Sequence, residues 1–216
     1  MPRSQRRHSG YEEETRSTIL RTAQQLFMEQ GYRAVSTRRI ADACGLTQPA
    51  LYHHFADKQD LYVAVMKENL VQTQAALERI AHRDESVEER LKRVVLYLLS
   101  NVQHDHTQMM HDIRQELSAS SRAILDEAFQ TGMIAPIRSL FEEGIQQGVL
   151  LNQQQSGVST TTATHLFMNM LSQYLMQPTQ HFGSIQHDIP ERERAEEVIV
   201  HIMFHGLANV HSTCHN

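Results

Sequence analysis

The sequence predicts an all-α protein of about nine helices, and three observations predict it. Its 216 residues include only 9 Gly and 5 Pro, too few punctuating residues for a turn-rich β protein. Most long stretches are filled by Ala, Leu, Gln, Glu, Met and Arg, which are helix formers. Apolar residues recur three and four positions apart, and no strand-like alternation of useful length appears.

In chain order, residues 1–10 (MPRSQRRHSG) lack periodicity and are expected to be a flexible basic arm. The first helix runs over 13–30, with Ile19, Leu20, Ala23, Leu26 and Phe27 on one face. Gly31 supplies the left-handed residue that commonly closes a helix. Ser36 can cap a second helix whose small and apolar face is Ile40, Ala41 and Cys44, and Gly45 ends it. Thr47 can cap a third, Pro49 fits its first turn, and Leu51 and Phe55 recur on its buried side. A fourth helix starts at Asp57 and runs through Leu61, Val65, Met66, Leu70 and Leu77 towards Ala81. Ser86 caps a helix over 87–101, and further helical patterns cover 107–117, 121–147, 159–176 and 190–210. The segments GVLLNQQQSG and QPTQHFGSIQHDIP read as the longer loops. Beyond the arm, this divides the chain into a helix-turn-helix head at 11–60 and a larger helical body at 61–216.

The net charge of −5 conceals an asymmetry. Residues 1–39 carry eight Arg against four Glu, whereas residues 61–216 carry 11 Lys and Arg against 18 Asp and Glu. A basic head on an acidic body points to nucleic acid at one end. No secretory pattern opens the chain, and the longest plainly apolar run, Val94 to Leu99, is far too short for a bilayer. Cys44 and Cys214 offer no disulfide framework. The expectation is a soluble, cytoplasmic protein without membrane contact.

The stretch STRRIADACGLTQPALYHHF, residues 36–55, has the requirements of a helix-turn-helix. Ala41 is small where the second helix must cross the first, Gly45 allows a positive φ at the turn, and Ile40, Cys44, Leu46 and Leu51 lock the pair. Once these are buried, Thr47, Gln48, Ala50, Tyr52, His53 and His54 remain outward, and none is an acid. Gln can bond to a base edge, and Pro or Ala can touch a thymine methyl. Thr37, Tyr52 and Lys58 are natural phosphate partners, and Arg38 and Arg39 add positive charge.

Residues 16–66, RSTILRTAQQLFMEQGYRAVSTRRIADACGLTQPALYHHFADKQDLYVAVM, resemble the N-terminal domain of the TetR family of bacterial transcriptional regulators. The stretch TRRIADACGLTQPALYHHF is similar to the tetracycline repressor's own DNA-binding motif. The resemblance implies that Arg38 and Gln48 contact base edges and that Pro49 and Ala50 make apolar base contacts. It implies backbone contacts from Thr37, Thr47, Tyr52, His54 and Lys58, while His53 falls where the family varies. It further implies a homodimer through the helices at 159–176 and 190–210, and a ligand-responsive repressor released from palindromic operator DNA by a small hydrophobic or amphipathic effector. By the same analogy, Met109, Ile113, Phe129, Met133, Phe167 and Tyr174 would line the effector pocket.

Two alternatives stay open within the binding classes. The body is rich in His, and Glu197, His201 and His205 share one helical face, so a metal-responsive regulator is one. An architectural DNA binder without ligand is the other. An enzyme is not expected: no GxSxG, phosphate-cradling glycine loop, CxxC or HExxH occurs, and no cofactor is called for.

Overall fold

A computed structural model of the chain describes residues 3–101, 106–175 and 194–206, with side chains described from Glu12 onward except at 102–108 and 110. Among the described residues there are eleven α-helices, one π-helical turn and no strand. They are α1 (Arg3–Ala34), α2 (Thr37–Ala43), α3 (Gln48–His54), α4 (Lys58–Ala81), α5 (Val87–Asn101), α6 (His106–Glu116), α7 (Ala119–Phe129), α8 (Ala135–Gln146), α9 (Gln153–Ser156), α10 (Thr160–Leu175) and α11 (Ala195–His205). The all-α expectation holds. No helix among the described residues is long and apolar enough to cross a membrane.

Three elements differ from the sequence reading, each for a local reason. Helix α1 begins at Arg3, so the backbone of the expected flexible arm is helical from that point. Its Arg, Gln and Glu residues are good helix formers, and an established helix extends through them at little cost. The helical geometry breaks at Gly31 (φ 78°, ψ 161°), where closure is expected. The single helix expected over 121–147 is divided by a π-helical turn, Gln130–Ile134. Pro136 follows, and it has no N–H to give the carbonyl four residues back, so the widened turn sits where the α ladder is interrupted. The loop GVLLNQQQSG contains the short helix α9, which Asn152 and Gln155 cap reciprocally and Gly157 closes at φ 74°. The expected helix at 190–210 is described as Ala195–His205, and its flanks and Cys214 lie outside the described residues.

The chain forms two units. The first comprises Met1–Thr73 and His104–Gln130, the second Gln74–Gln103 and Thr131–Asn216. The first unit therefore extends past the expected head boundary at residue 60 and takes in α6 and α7. The reason lies in its core: Leu61, Tyr62, Val65 and Met66 of α4, with Leu117 and Leu125, are buried together with Ile19, Phe27, Ile40 and Leu51. Burying side chains of this kind contributes about 1.5–3 kcal/mol each. The core of the second unit is built from Leu91, Val94, Val95 and Leu98 of α5, Ile137, Leu140 and Phe141 of α8, Phe167 and Leu171 of α10, and Ile199 and Val200 of α11.

Candidate nucleic-acid interface

The interface is built on two short capped helices. Ser36 Oγ accepts from the Arg39 N–H at 3.2 Å and starts α2, and Thr47 Oγ1 accepts from the Ala50 N–H at 3.4 Å and starts α3. Each cap satisfies a donor that the first turn otherwise leaves unpaired. Pro49 sits in that first turn of α3, where its missing N–H costs nothing. Between them Gly45 adopts φ 68°, as the turn requires. Ile40, Ala41 and Leu51 have no exposed surface, so the underside of the pair is fixed in the core.

The other side faces solvent. Arg38, Arg39, Thr47, Pro49, Tyr52 and His53 are exposed, and Gln48, Ala50, His54 and Lys58 are half-buried. Helix α3 contains no acid in its first turn and ends with His53 and His54, whose rings meet edge-on at 5.7 Å. The structure thus gathers Arg38, Arg39, Thr47, Gln48, Pro49, Ala50, Tyr52, His53 and His54 on two adjacent short helices.

Thr37 is placed differently from the sequence expectation. It is 9% exposed, and its hydroxyl lies 3.1 Å from Tyr52 Oη and accepts from Gln48 Nε2 at 3.0 Å. Gln48 Nε2 also lies 3.5 Å from Tyr52 Oη, so three residues from both helices share one hydrogen-bond cluster. A buried hydroxyl committed to two side chains is poorly placed for a phosphate.

Lys58 also has partners of its own. Its ammonium stands 4.2 Å above the centre of the Tyr32 ring. Burial lowers its pKa, while the carboxylates of Glu116 and Asp112 pull it back up. Nearby, Tyr32 packs against Phe27 and Tyr62, and burial raises the pKa of the Tyr62 phenol strongly. Asp57 and Asp60 face the start of α4: Asp57 accepts from the Asp60 N–H at 2.8 Å, and Asp60 accepts from the Ala56 N–H at 3.1 Å.

Asp112 of α6 was not singled out by sequence. It is 2% exposed and accepts from the Tyr32 N–H at 2.9 Å, just beyond the break at Gly31. Glu116, one turn on, pairs with Arg33 at 2.6 Å, and Gln59 accepts from the Ser118 N–H at 2.6 Å. These contacts fasten α6 and the start of α7 to α1 and α4, the helices that flank the motif. The available signal is the position of Asp112 beside Ile113 and one turn from Met109, residues that pack on the same core.

The expected pocket residues do not come together in one core. Met109 and Ile113 pack on the core of the first unit, and Met133, Phe167 and Tyr174 belong to that of the second. Phe129 is half-buried at the end of α7. Phe167 has no exposed surface and meets Phe141 edge-on at 5.8 Å in the core of the second unit.

The metal expectation at Glu197, His201 and His205 is likewise corrected. Among the described residues no three His, Cys, Asp or Glu side chains are placed to hold an ion. The two His rings lie against each other at 4.8 Å, and Glu197 is drawn to Arg194 at 3.6 Å. All three are exposed on α11.

Residues 19–65, from α1 through the motif into α4, match the family described as bacterial regulatory proteins, tetR family. Residues 19–65 therefore carry the family's N-terminal signature, which spans the motif and the helices on either side of it. Among curated relatives, the chain is 30% identical over 118 residues to the HTH-type transcriptional repressor KstR2 of Mycobacterium tuberculosis, an alignment covering 54% of this chain and 59% of that one. Activators as well as repressors occur among the relatives. The chain spans about half the length of the curated relatives it matches, 42% of the first and 59% of the second. The TetR-like fold extends further. FadR from Bacillus subtilis, solved with stearoyl-CoA, superimposes with a TM-score of 0.72 at 18% identity, covering 89% of this chain and 99% of that one. AibR, solved with isovaleryl coenzyme A and operator DNA, superimposes with a TM-score of 0.62 at 23% identity, covering 88% and 98%.

Proposed function

We propose that the protein is a homodimeric, ligand-responsive transcriptional regulator that binds palindromic operator DNA. The observation that carries this is the α2–α3 surface, whose underside is locked in the core and whose outer face offers Arg38, Gln48, Pro49, Ala50 and Tyr52 with no acid on α3. Two such surfaces related by a two-fold axis reach successive major grooves, which makes the operator a palindrome. Arg38 and Gln48 are assigned to base edges, Pro49 and Ala50 to apolar base contacts, and Arg39, Thr47, Tyr52, His53, His54 and Lys58 to the backbone. Repression follows wherever the operator overlaps a promoter.

Dimerisation through α10 and α11 is supported by the apolar surface they leave outside the core. Leu166 is 48% exposed and Val198 only half-buried, and Met170, Tyr174 and Phe204, half-buried at the edge of the core, keep apolar surface beside them. The effector class to test first is an acyl-CoA thioester, an amphipathic ligand, because two proteins of this fold were solved with one. Such an effector releases DNA by preferring the body conformation that the operator disfavours, and the coupling is reciprocal.

The decisive experiment is selection of bound genomic fragments by the purified protein at fixed physiological salt. A single enriched palindrome is expected, and uniform recovery with affinity collapsing as salt rises would leave only backbone binding. On that palindrome, Gln48→Ala should cost about 1–3 kcal/mol and relax one position, whereas Lys58→Ala should weaken all sequences alike and lower the salt slope by about one.

A further inference from the structure

Within that reading, on which this step rests, we infer that Arg16 of α1 is a further operator contact, which binds a backbone phosphate at the C-terminal end of α3. Arg16 lies just ahead of the stretch 19–65 that matches the family. It stands three and four positions before Ile19 and Leu20, so it extends by one more turn the buried face of α1 that continues through Ala23 and Phe27. Packing alone would ask for an apolar residue there, and the chain has a cation instead. The acids Glu12, Glu13 and Glu14 precede it, all exposed, so α1 turns from negative to positive where it reaches α3.

The structure places that charge. The Arg16 guanidinium carbon stands over the Phe55 ring, 5.2 Å from its centre. Phe55 ends α3: its N–H donates to the Leu51 carbonyl at 3.1 Å, and the residue is 2% exposed. Arg16 is only half-buried, and none of its nitrogens is a buried atom without a partner, so the side chain that covers the ring still reaches solvent. Among the described residues Arg16 forms no ion pair, whereas Arg33, Arg90 and Arg93 each bond to a glutamate. A ring face attracts a cation without taking up its N–H donors as a carboxylate does, so the fork that matches a phosphate stays available. A recognition helix that meets bases with its N-terminal residues, here Gln48, Pro49 and Ala50, brings its other end to the sugar-phosphate strand. No acid lies on α3, and Asp57 and Asp60 beyond it accept the N–H groups of Asp60 and Ala56. Arg16 therefore adds a phosphate contact beside His53 and His54 from a helix outside the motif.

The test uses Arg16→Gln, which removes the charge, and Arg16→Lys, which keeps the charge without the fork. Dissociation constants are measured over a range of salt on the selected operator, on versions altered at the position that Gln48→Ala relaxes, and on a random duplex. Arg16→Gln is expected to weaken all of them alike, by about tenfold for each subunit, the size of one hydrogen bond to a charged group. It should also lower the salt slope by about one per subunit and leave the order of preference among bases as it is. Arg16→Lys should keep the slope and recover part of the affinity. Ethylation interference locates the contact: one phosphate per half-site whose ethylation weakens the wild-type protein should become indifferent in Arg16→Gln.

An unchanged salt slope in Arg16→Gln would leave Arg16 as a cover for Phe55 and overturn the inference, whether or not stability and affinity fall with it. The wild-type protein gives a second reading that needs no variant to fold. Its Arg16 Nε–H signal in NMR should move on addition of operator, and a signal that stays in place would also overturn the inference. A wild-type protein without base preference at any position overturns the regulator reading itself, and the slope difference on the random duplex still decides the role of Arg16. Preference that is present in wild type, with a slope unmoved by Arg16→Gln, overturns this inference alone.

Discussion

The two units treat their buried polar groups differently. In the first, Thr37 and Asp112 are buried, and the hydroxyl of Thr37 is tied to Gln48 and Tyr52, side chains that reach the surface. In the second, Arg90 and Thr164 are buried; Arg90 pairs with the half-buried Glu143 while its Nε has no partner among the described residues, and Thr164 pairs within its own helix. Arg90 forks onto Glu143 and reaches the carbonyl of Ala81, and Thr164 donates to the carbonyl of Thr160 at 2.8 Å. Buried polar groups must be paired in either case. The Thr37 pairing joins α2 to α3 at their outer face, and the Arg90 pairing joins α5 to α8.

Breaking the inward pair should have the largest effect. Glu143→Ala leaves the Arg90 guanidinium, 5% exposed, without its carboxylate. The expected cost is about 2–3 kcal/mol, below the usual range for a buried pair because the Glu143 side chain is about a third exposed. Urea denaturation measures it, and a cost under about 0.5 kcal/mol would place the pair among ordinary surface bridges. The pair also sets a pH dependence. The hydrogen bond from Arg90 holds the Glu143 carboxyl below its ordinary value of 4.5. A depressed carboxyl contributes stability that is present above the ordinary value and lost as pH falls through the lowered one. Glu143→Ala should therefore flatten the acid limb of the stability profile below about pH 4.5.

Glycines sharpen the same contrast. Gly45 in the motif needs its φ of 68° and has nothing within 4 Å of an added Cβ. Gly144 in α8 needs no special φ, but an added Cβ would stand 2.7 Å from Leu150 Cδ1. Gly45→Ala should cost about 1–2 kcal/mol through the backbone alone. Gly144→Ala should cost about 1–3 kcal/mol through overpacking, and Leu150→Ala in the same chain should recover part of it. Full additivity of those two substitutions would show that the close approach is not the cause.

The contrast also explains what the sequence made legible. The motif could be read because its determinants are local: Ser36, Gly45, Thr47 and Pro49 each dictate the conformation of their own turn. The residues of the α2–α3 surface followed by subtracting the buried positions from a known periodicity. Tertiary pairings stayed hidden, because Asp112 meets Tyr32 across 80 residues and Arg90 meets Glu143 across 53. Arg90 nevertheless left a trace, since it lies on the face that buries Val87, Leu91 and Val94. Shared helical spacing misled at Glu197, His201 and His205, because a common face brings rings together without aiming their nitrogens at one point. The pocket analogy could not be read from spacing either, because Met109 and Ile113 pack on one core and Met133, Phe167 and Tyr174 on the other.

The smallest expected effects separate the units most cleanly, because they compare like with like. Ser36 and Asn152 are both N-caps that accept backbone N–H groups, at 3.2 Å for Ser36 and at 3.0 Å and 3.1 Å for Asn152. Helix α2 buries Thr37, Ile40 and Ala41, so it cannot fray without opening the core of the first unit. Ser36→Ala should therefore lower global stability by about 1 kcal/mol, the usual value of a cap. Helix α9 has four residues, none buried, so it can open while the core of the second unit stays closed. Asn152→Ala should leave global unfolding within about 0.5 kcal/mol of wild type. Its loss should appear only as faster amide hydrogen exchange at Gln154 and Gln155. If Asn152→Ala lowered the denaturation midpoint as much as Ser36→Ala, α9 would have to be coupled to the core through contacts its exposed side chains do not make, and cap strength alone would not distinguish the two units.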